Sequence, residues 1–256
     1  NEIGGPRASA TGLSHMTATW IEQGLLEAYR ADFKERFANK QYVVRPSALP
    51  LAQYYDVYVG QQAKQYLSSY DRDEPWFCWV SWGGPHQPWD TPEPYASMYD
   101  PDTMPPPATH DTGQPRPKGH VDQMMANHSP NFEAGEVAKM RADYAASVSL
   151  IDDQIGEILK VIEERGELDS TIIAFTSDHG ETLDDSEFDP YTHGPSVDLS
   201  AIHVPLIMHG RGSMRLSEEP QVVSRMVRLM DLASTLLSVA DLGEVMGDGQ
   251  DLSGHW

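Results

Sequence analysis

The sequence is poor in cysteine, in positive charge and in long apolar runs. Its one cysteine, Cys78, excludes an intrachain disulfide and a cysteine-rich zinc site. With 18 Lys and Arg against 39 Asp and Glu, the formal charge is −21, which excludes nucleic-acid binding through a basic surface. Apolar runs such as 172–175 and 204–208 are far shorter than the ~20 residues of a membrane span, so we expect no membrane span. An anionic substrate would need local positive charge, which a bound metal ion could supply.

What the chain does contain is enough apolar sequence to fold. Its 256 residues suit one large domain, or two small ones at most, and 39% of them are hydrophobic, which argues against disorder. The sequence begins at Asn1 without a signal-like apolar stretch, so we expect either a processed start or an internal piece of a longer protein. No cellular compartment follows from the sequence.

Three segments repeat apolar residues at steps of three or four and are predicted helices: 52–67, 137–162 and 229–240. Residues 1–46 show no sustained periodicity, although 20–37 could hold one amphipathic helix. Gly166 lies just past the segment 137–162 and is a candidate helix terminator.

Three short apolar segments are predicted strands: 76–82, 171–176 and 203–208. The first is apolar at both alternating positions and should be covered on both sides. Because strands and helices alternate, we predict an α/β fold with a mainly parallel sheet and helices on both faces. The segment 85–131 has no helix or strand pattern and is predicted to be a long insertion loop, either functional or disordered.

Conspicuous polar residues follow two of the predicted strands. Asp178 and His179 come after 171–176, and His86 comes after 76–82. In α/β sheets, ligands bind at the carboxyl ends of strands. Carboxylate oxygen and imidazole nitrogen together suit Zn, Mn or Fe. Each piece alone also has a bland reading: Asp178-His179 as a chance pair, His86 as a turn residue and His193 as a surface-loop residue.

Two further features have simple structural readings. The acidic residues Asp184, Asp185, Glu187 and Asp189 are predicted to form a solvated loop. Cys78 lies inside a predicted buried strand and is therefore expected to be chemically inert.

From Pro75 to Leu252 the chain resembles the sulfatases of the alkaline phosphatase superfamily. The resemblance rests on ordered motifs: Pro85-His86-Gln87-Pro88, Tyr99-Asp100-Pro101, Met104-Pro105, Ile151-Asp152-Asp153, the run 166–173, Thr176-Ser177-Asp178-His179-Gly180-Glu181, His193-Gly194-Pro195 and Val204-Pro205-Leu206-Ile207. It implies an alkaline phosphatase-like fold, present here incompletely. On this basis we expect residues 1–256 to be the central portion of a single sulfatase-like catalytic domain.

The resemblance also implies roles for four residues. Asp178 and His179 match the pair that binds the divalent metal, and His86 matches the histidine that contacts the sulfate group or the leaving-group oxygen. His193 falls where many members have a lysine beside the transferred group, which is a departure from the family pattern. Calcium is the usual ion of this family, and because calcium prefers oxygen ligands, the histidine leaves Mn²⁺ or Zn²⁺ open.

The nucleophile motif of the family is absent from the sequence. Members have Cys/Ser-x-Pro/Ala-x-Arg, whose Cys or Ser is converted to formylglycine, and no segment here matches it. We therefore expect the formylglycine nucleophile outside this segment, made by a formylglycine-generating enzyme. The resemblance implies a sulfuric ester hydrolase acting on a small-molecule or carbohydrate sulfate ester. The alternatives are a phosphonate monoester or phosphodiester hydrolase on the same fold, or an inactive truncated fragment.

Overall fold

Two units carry the helices and strands of the chain. A computed structural model describes residues 14–36, 38, 43–108, 135–185, 193, 198–210, 221–243 and 247–254. The first unit comprises Asn1–Val161 with Glu181–Ala201, and the second comprises Ile162–Gly180 with Ile202–Trp256. None of the described helices combines the length and apolar character that a membrane crossing requires.

The first unit begins with two short helices where the sequence predicted one. Helix α1 spans His15–Glu22 and helix α2 spans Leu26–Arg36. Gly24 lies between them with φ of 72°, a left-handed backbone conformation that glycine adopts without steric cost. Helix α2 lies inside the range 20–37 and confirms a helix there, while helix α1 and the glycine turn before α2 were not predicted.

Helix α3 confirms the helix predicted at 52–67, with a later start. It spans Tyr55–Ser69, because Leu51–Gln53 forms a 3₁₀ turn. That turn is tied to α1 by the indole Nε1 of Trp20, which donates to the carbonyl oxygen of Gln53 at 2.9 Å. The buried cluster of the unit includes Trp20, Tyr29, Tyr54, Tyr55 and Leu150.

Helix α4 is the longest element and confirms the strongest sequence pattern. It spans Glu136–Glu164, and its apolar stripe includes the fully buried Met140 and Leu150. Its end has the predicted glycine: Gly166, with φ of 71°, donates to the carbonyl of Glu163 at 2.8 Å. The next residue, Glu167, donates to the carbonyl of Ile162 at 3.1 Å. These two bonds form a Schellman cap.

The segment 76–82 is not the buried strand that its composition predicted. It belongs to no sheet among the described residues. Its burial alternates, with Phe77 73% and Trp79 78% exposed, so only every second side chain faces the protein. Cys78 is half-buried rather than enclosed, and burial raises the pKa of its thiol. Composition could not reveal this, because cover on a second face depends on elements distant in sequence.

The loop predicted over 85–131 is described as far as residue 108. In that part the only helical elements are the 3₁₀ turns Tyr95–Ser97 and Pro101–Thr103. The remaining positions, 109–131, lie outside the described residues.

The second unit contains a two-stranded sheet. Strand β1 spans Ile173–Thr176, and after the single-turn helix α5 at Leu199–Ile202 comes strand β2 at Leu206–His209. The strands pair antiparallel, with Ile173 opposite His209. Both predicted strands are confirmed, but this pair is antiparallel, so the mainly parallel sheet is not confirmed. The long connection between the two strands allows either direction, and local periodicity cannot distinguish them.

Helix α6 is the last helix among the described residues of the second unit. It spans Leu229–Val239, as predicted for 229–240. Asp231 accepts the backbone N–H of Arg228 at 2.8 Å and caps the helix start. Within the helix the buried Thr235 hydroxyl accepts the N–H of Leu252 at 3.0 Å, which holds the C-terminal segment against α6.

Candidate active site

The loop that carries His86 is anchored at both ends by buried residues of the first unit. At its start, the Asp56 carboxylate of α3 accepts the N–H groups of Gly83 and Gly84. At its far end Trp89 and Asp90 are almost completely buried. Ser47, Tyr54 and Tyr55 donate their hydroxyls to Asp90 at 3.0–3.2 Å.

His86 lies exposed within that anchored loop, and His193 lies beside it. The two imidazole centroids are 4.8 Å apart, with an angle of 56° between the ring planes. His86 Nδ1 is 2.6 Å from the carbonyl oxygen of Gln87. A carbonyl can only accept, so Nδ1 carries a proton and Nε2 of the neutral ring carries the lone pair. The structure thus places the His86 and His193 rings side by side, while their roles stay a prediction.

A buried carboxylate supports His193 from behind. Glu181 Oε2 lies 3.2 Å from His193 Nδ1, and the Glu181 side chain is only 4% exposed. A carboxylate can only accept, so it takes a hydrogen bond from the Nδ1–H of His193 and orients the ring. Burial raises the pKa of the Tyr144 phenol, and the charge of the Glu181 carboxylate raises it further. Glu181 belongs to a sequence motif, but no role was predicted for it, because the local sequence does not show that a carboxylate is buried.

A strained turn follows Glu181 directly. Asp185 N–H donates to Thr182 O at 2.7 Å, and both central residues have positive φ, 47° at Leu183 and 69° at Asp184. This type I′ geometry is costly for a leucine. Arg141 of α4 holds the turn by donating to Leu183 O at 2.7 Å and to Asp185 at 3.1 Å.

The acidic segment that contains this turn was predicted to be solvated, and for its first residues that is wrong. Asp184 and Asp185 are only partly exposed, and Asp185 is in an ion pair. It also accepts the N–H of Ala108 at 2.7 Å. The local run of acidic residues gave no sign of the distant arginine that accounts for the difference. Glu187 and Asp189 lie outside the described residues.

An open cleft of about 290 Å³ borders the same turn. Most of its wall is apolar, and its charged groups are one guanidinium and one carboxylate. The lining residues are Met104, Pro105, Pro106, Pro107, Gly135, Val137, Ala138, Arg141 and Asp184. Its size is at the lower end for a cleft that holds a small organic group.

Asp178 and His179 lie in the second unit, just past the carboxyl end of β1, as the sequence predicted. Asp178 Oδ1 accepts the backbone N–H of His179 at 2.9 Å, and the Asp178 side chain is 87% exposed. His179 Nδ1 is 2.8 Å from Gly180 O and therefore donates to it. Ser177 Oγ donates to His179 O at 2.6 Å and fixes the turn. Whether this pair and His86 share one site stays a prediction.

The geometry of this pair fits part of a metal shell. With Nδ1 protonated, the lone pair of neutral His179 is on Nε2, which lies 3.8 Å from Asp178 Oδ1. Two donors at that separation can bind one ion with bonds of about 2.0–2.2 Å. Among the residues that the structure describes, no group of three or more His, Cys, Asp or Glu side chains is arranged to hold a metal. The pair could supply two ligands, one oxygen and one nitrogen donor, and the choice among Ca²⁺, Mn²⁺ and Zn²⁺ stays a prediction.

Comparison with known proteins gives a consistent family. The family model described as Sulfatase matches residues 10–242. An arylsulfatase of Clostridium perfringens is 27% identical over 185 residues, which cover 72% of this chain and 38% of the relative. The multifunctional alkaline phosphatase superfamily protein PehA of Trinickia caryophylli is also 27% identical over 185 residues, covering 67% of this chain and 35% of that protein.

A solved structure supports the fold. The phosphonate monoester hydrolase of Agrobacterium radiobacter aligns with a TM-score of 0.69 at 22% identity, covering 93% of this chain and 49% of that chain. The α/β class predicted from the sequence agrees with this likeness. The chain spans little more than a third of the two curated relatives and about half of the solved hydrolase.

Proposed function

The chain belongs to the sulfatase family, and we propose that it supplies part of the active site of a sulfuric ester hydrolase. The proposed reaction releases sulfate from a small-molecule or carbohydrate sulfate ester. The observation that carries the proposal is the pair of neighbouring imidazoles, one of them supported by a buried carboxylate. This arrangement offers positive charge and a transferable proton in a chain of net charge −21.

His193 would bind the anionic oxygens of the ester. Protonated, and compensated by Glu181 at 3.2 Å, it takes the place of the lysine common in the family. A histidine carries this charge only when protonated, so the role is tied to pH.

His86 would act on the leaving group. Its Nδ1 proton is committed to Gln87 O, so Nε2 is the atom that can face the ester. When the sulfur–oxygen bond breaks, the electron pair stays on the alcohol oxygen. Protonated His86 then donates the Nε2 proton to that oxygen and becomes neutral.

Asp178 and His179 would hold a divalent metal with the two donor atoms described above. A metal bound there stabilises negative charge on the non-bridging oxygens of the ester and favours ionisation of the attacking group. The attacking group is proposed to be a formylglycine hydrate formed by a formylglycine-generating enzyme. The Cys/Ser-x-Pro/Ala-x-Arg motif from which formylglycine is made does not occur in these 256 residues.

Hydrolysis of a phosphonate monoester or phosphodiester is the second candidate. A phosphonate monoester hydrolase has the same fold, which supports keeping this candidate beside the first. Both reactions transfer a tetrahedral anionic group, and the histidine pair suits either.

The test compares the 256-residue chain with the full-length product of its gene, each co-produced with a formylglycine-generating enzyme. The substrates are 4-nitrophenyl sulfate and 4-nitrophenyl phenylphosphonate, with and without a chelator. The variants are His86→Asn and Asp178→Ala. His15→Asn and Asp152→Ala serve as matched controls, since both residues are exposed on helices α1 and α4.

We expect metal-dependent turnover of the sulfate ester, reduced at least about a hundredfold by His86→Asn and Asp178→Ala and unchanged by the controls. Faster turnover of the phosphonate would favour the second candidate. Absence of turnover by either protein on both substrates would overturn the proposal and favour an inactive fragment. Metal-dependent turnover by the 256-residue chain would place the nucleophile within these residues.

A further inference from the structure

A carboxylate on α3 has an unusual position relative to the His86 loop. Asp56 is completely buried, in the first turn of the helix. Its Oδ1 accepts the N–H of Gly83 at 2.9 Å, and the N–H of Gly84 lies 3.2 Å from both oxygens. His86 follows two residues later. One side chain thus fixes two consecutive peptide groups at the base of the loop that carries the histidine.

Close packing makes this contact specific to glycine at one position. A Cβ on Gly84 would lie 2.4 Å from Asp56 Oδ2 and 2.7 Å from Ser147 Oγ of α4. A Cβ on Gly83 would find its nearest neighbour, the Tyr55 ring, at 3.7 Å, which is ordinary contact. The chain at Gly84 is therefore held between α3 and α4 with no spare room.

The Asp56 carboxylate adds nothing that an apolar side chain would not add to the packing of the core. Among the described residues no cation forms an ion pair with Asp56, and its hydrogen bonds are those to the two amides. Burial raises the pKa of Asp56 to about 6, while the Gly84 and Gly83 N–H groups lower it. An apolar residue would avoid the cost of burying a carboxylate. The buried Asp56 carboxylate therefore costs stability, and its two hydrogen bonds to the loop are the gain that offsets this cost.

We propose that Asp56 is a positioning residue for His86, acting through the Gly83 and Gly84 amides to hold the imidazole beside His193. The inference rests on the proposed function of His86, but its geometry can be tested without turnover. If the two amides are released, the loop gains freedom at the point where the direction of the His86 ring is set. The 4.8 Å contact between the two rings is then lost.

The experiment uses Asp56→Asn and Asp56→Ala, with Asp143→Asn as the matched control. Asp143 is a buried carboxylate of α4 that accepts the N–H of Thr91 at 3.1 Å, beyond the far end of the same loop. Three quantities are measured for each variant: amide hydrogen exchange at Gly83 and Gly84, the nuclear Overhauser contact between the His86 and His193 rings, and the kinetic constants of the active protein.

We expect exchange at Gly83 and Gly84 to rise about tenfold or more in Asp56→Ala, since both amides lose their charged acceptor. Asp56→Asn keeps one carbonyl oxygen and should give a smaller rise. The contact between the two rings should disappear in Asp56→Ala and persist in Asp143→Asn. In the active protein kcat should fall roughly ten- to a hundredfold with KM changed less than about threefold, because orientation rather than binding is lost. Asp143→Asn should keep kcat within about twofold.

Two outcomes would overturn the inference: unchanged glycine exchange in folded Asp56→Asn and Asp56→Ala, or equal losses of ring contact and kcat in the Asp56 and Asp143 variants. If the proposed sulfatase activity is itself absent, exchange and ring contact still decide the positioning role. Failure of the function and failure of this inference are therefore distinguishable.

Discussion

Replacing Arg36 with methionine tests how the first unit is held together. The Arg36 side chain is 1% exposed at the end of α2 and forms an ion pair with Asp32. Its guanidinium also donates to four backbone carbonyls, those of Val43 at 3.2 Å, Arg45 at 2.8 Å, Pro46 at 2.8 Å and Trp89 at 3.4 Å. It thereby joins α2 to the segment 43–46 and to the end of the His86 loop.

The expected loss in the free energy of unfolding follows from the hydrogen bonds that the substitution removes. Methionine has similar length but no donor, so four carbonyl oxygens lose the Arg36 partner; the bond to Trp89 is buried, and the other three lie where water can replace the donor. A hydrogen bond to a charged group contributes about 1.5–3 kcal/mol, and partial replacement by water brings the expected total to about 3–5 kcal/mol. Asp32 keeps Arg45 as an ion-pair partner at 2.6 Å, so no carboxylate is left uncompensated. For a domain of about 150–250 residues this loss lowers Tm by roughly 6–20 °C.

The assay is thermal and urea unfolding followed by tryptophan fluorescence, because Trp20 and Trp89 are buried in this unit. Arg30→Met is the control: Arg30 pairs with Glu27 at 3.0 Å on the exposed side of α2, and its loss should cost under about 0.5 kcal/mol. The difference should grow toward pH 8, since the Arg36 charge lowers the pKa of Asp90. A loss below about 1 kcal/mol, or one equal to that of the control, would refute the reasoning.

Three other predictions concern the same unit. Burial raises the pKa of Asp90 to about 7, so the folded protein binds that proton more tightly than the unfolded chain. Stability should therefore fall as pH rises from about 4 through 7, by up to about 1.4 kcal/mol per pH unit, measured as the difference between wild type and Asp90→Asn in urea titrations. If the stabilities of wild type and Asp90→Asn changed equally with pH, the prediction for Asp90 would be contradicted. Gly84→Ala should destabilise by at least about 2 kcal/mol, because its Cβ meets Asp56 at 2.4 Å, whereas Gly83→Ala should cost far less; equal unfolding midpoints would be evidence against the close approach. His193→Lys should move the alkaline limb of the pH–rate profile upward, because lysine stays protonated far above the ~6.5 reference value of histidine; an unshifted limb would mean that His193 has no charge role.

Local pattern predicted most of the helices and could not predict the sheet. The 3.6-residue period of α4 and its terminal Gly166 are properties of consecutive residues, so sequence showed both. The strand predicted at 76–82 was wrong because cover on each face comes from distant elements. The antiparallel pairing of β1 with β2 was equally hidden, since register and direction are long-range properties.

The same division applies to the candidate site. His86 and His193 were named from motif resemblance, and the structure brings their rings together. Glu181 and Asp56 were missed as functional residues, because their effect depends on burial. An aspartate or glutamate looks the same in the sequence whether its side chain is buried or exposed. The informative clue at Asp56 was its place between Tyr55 and Val57, which are both buried.

The exposed aromatic rings of the segment 76–82 have a consequence for handling the protein. Phe77 and Trp79 present two large apolar surfaces to solvent, the kind of surface by which chains adhere to one another. A net charge of −21 opposes that adhesion, because like-charged molecules repel. Salt shortens the range of this repulsion to about 10 Å at 0.1 M and leaves the apolar attraction in place. Ionic strength therefore sets the colloidal stability of the chain, and low-salt buffers are those in which it should stay dispersed.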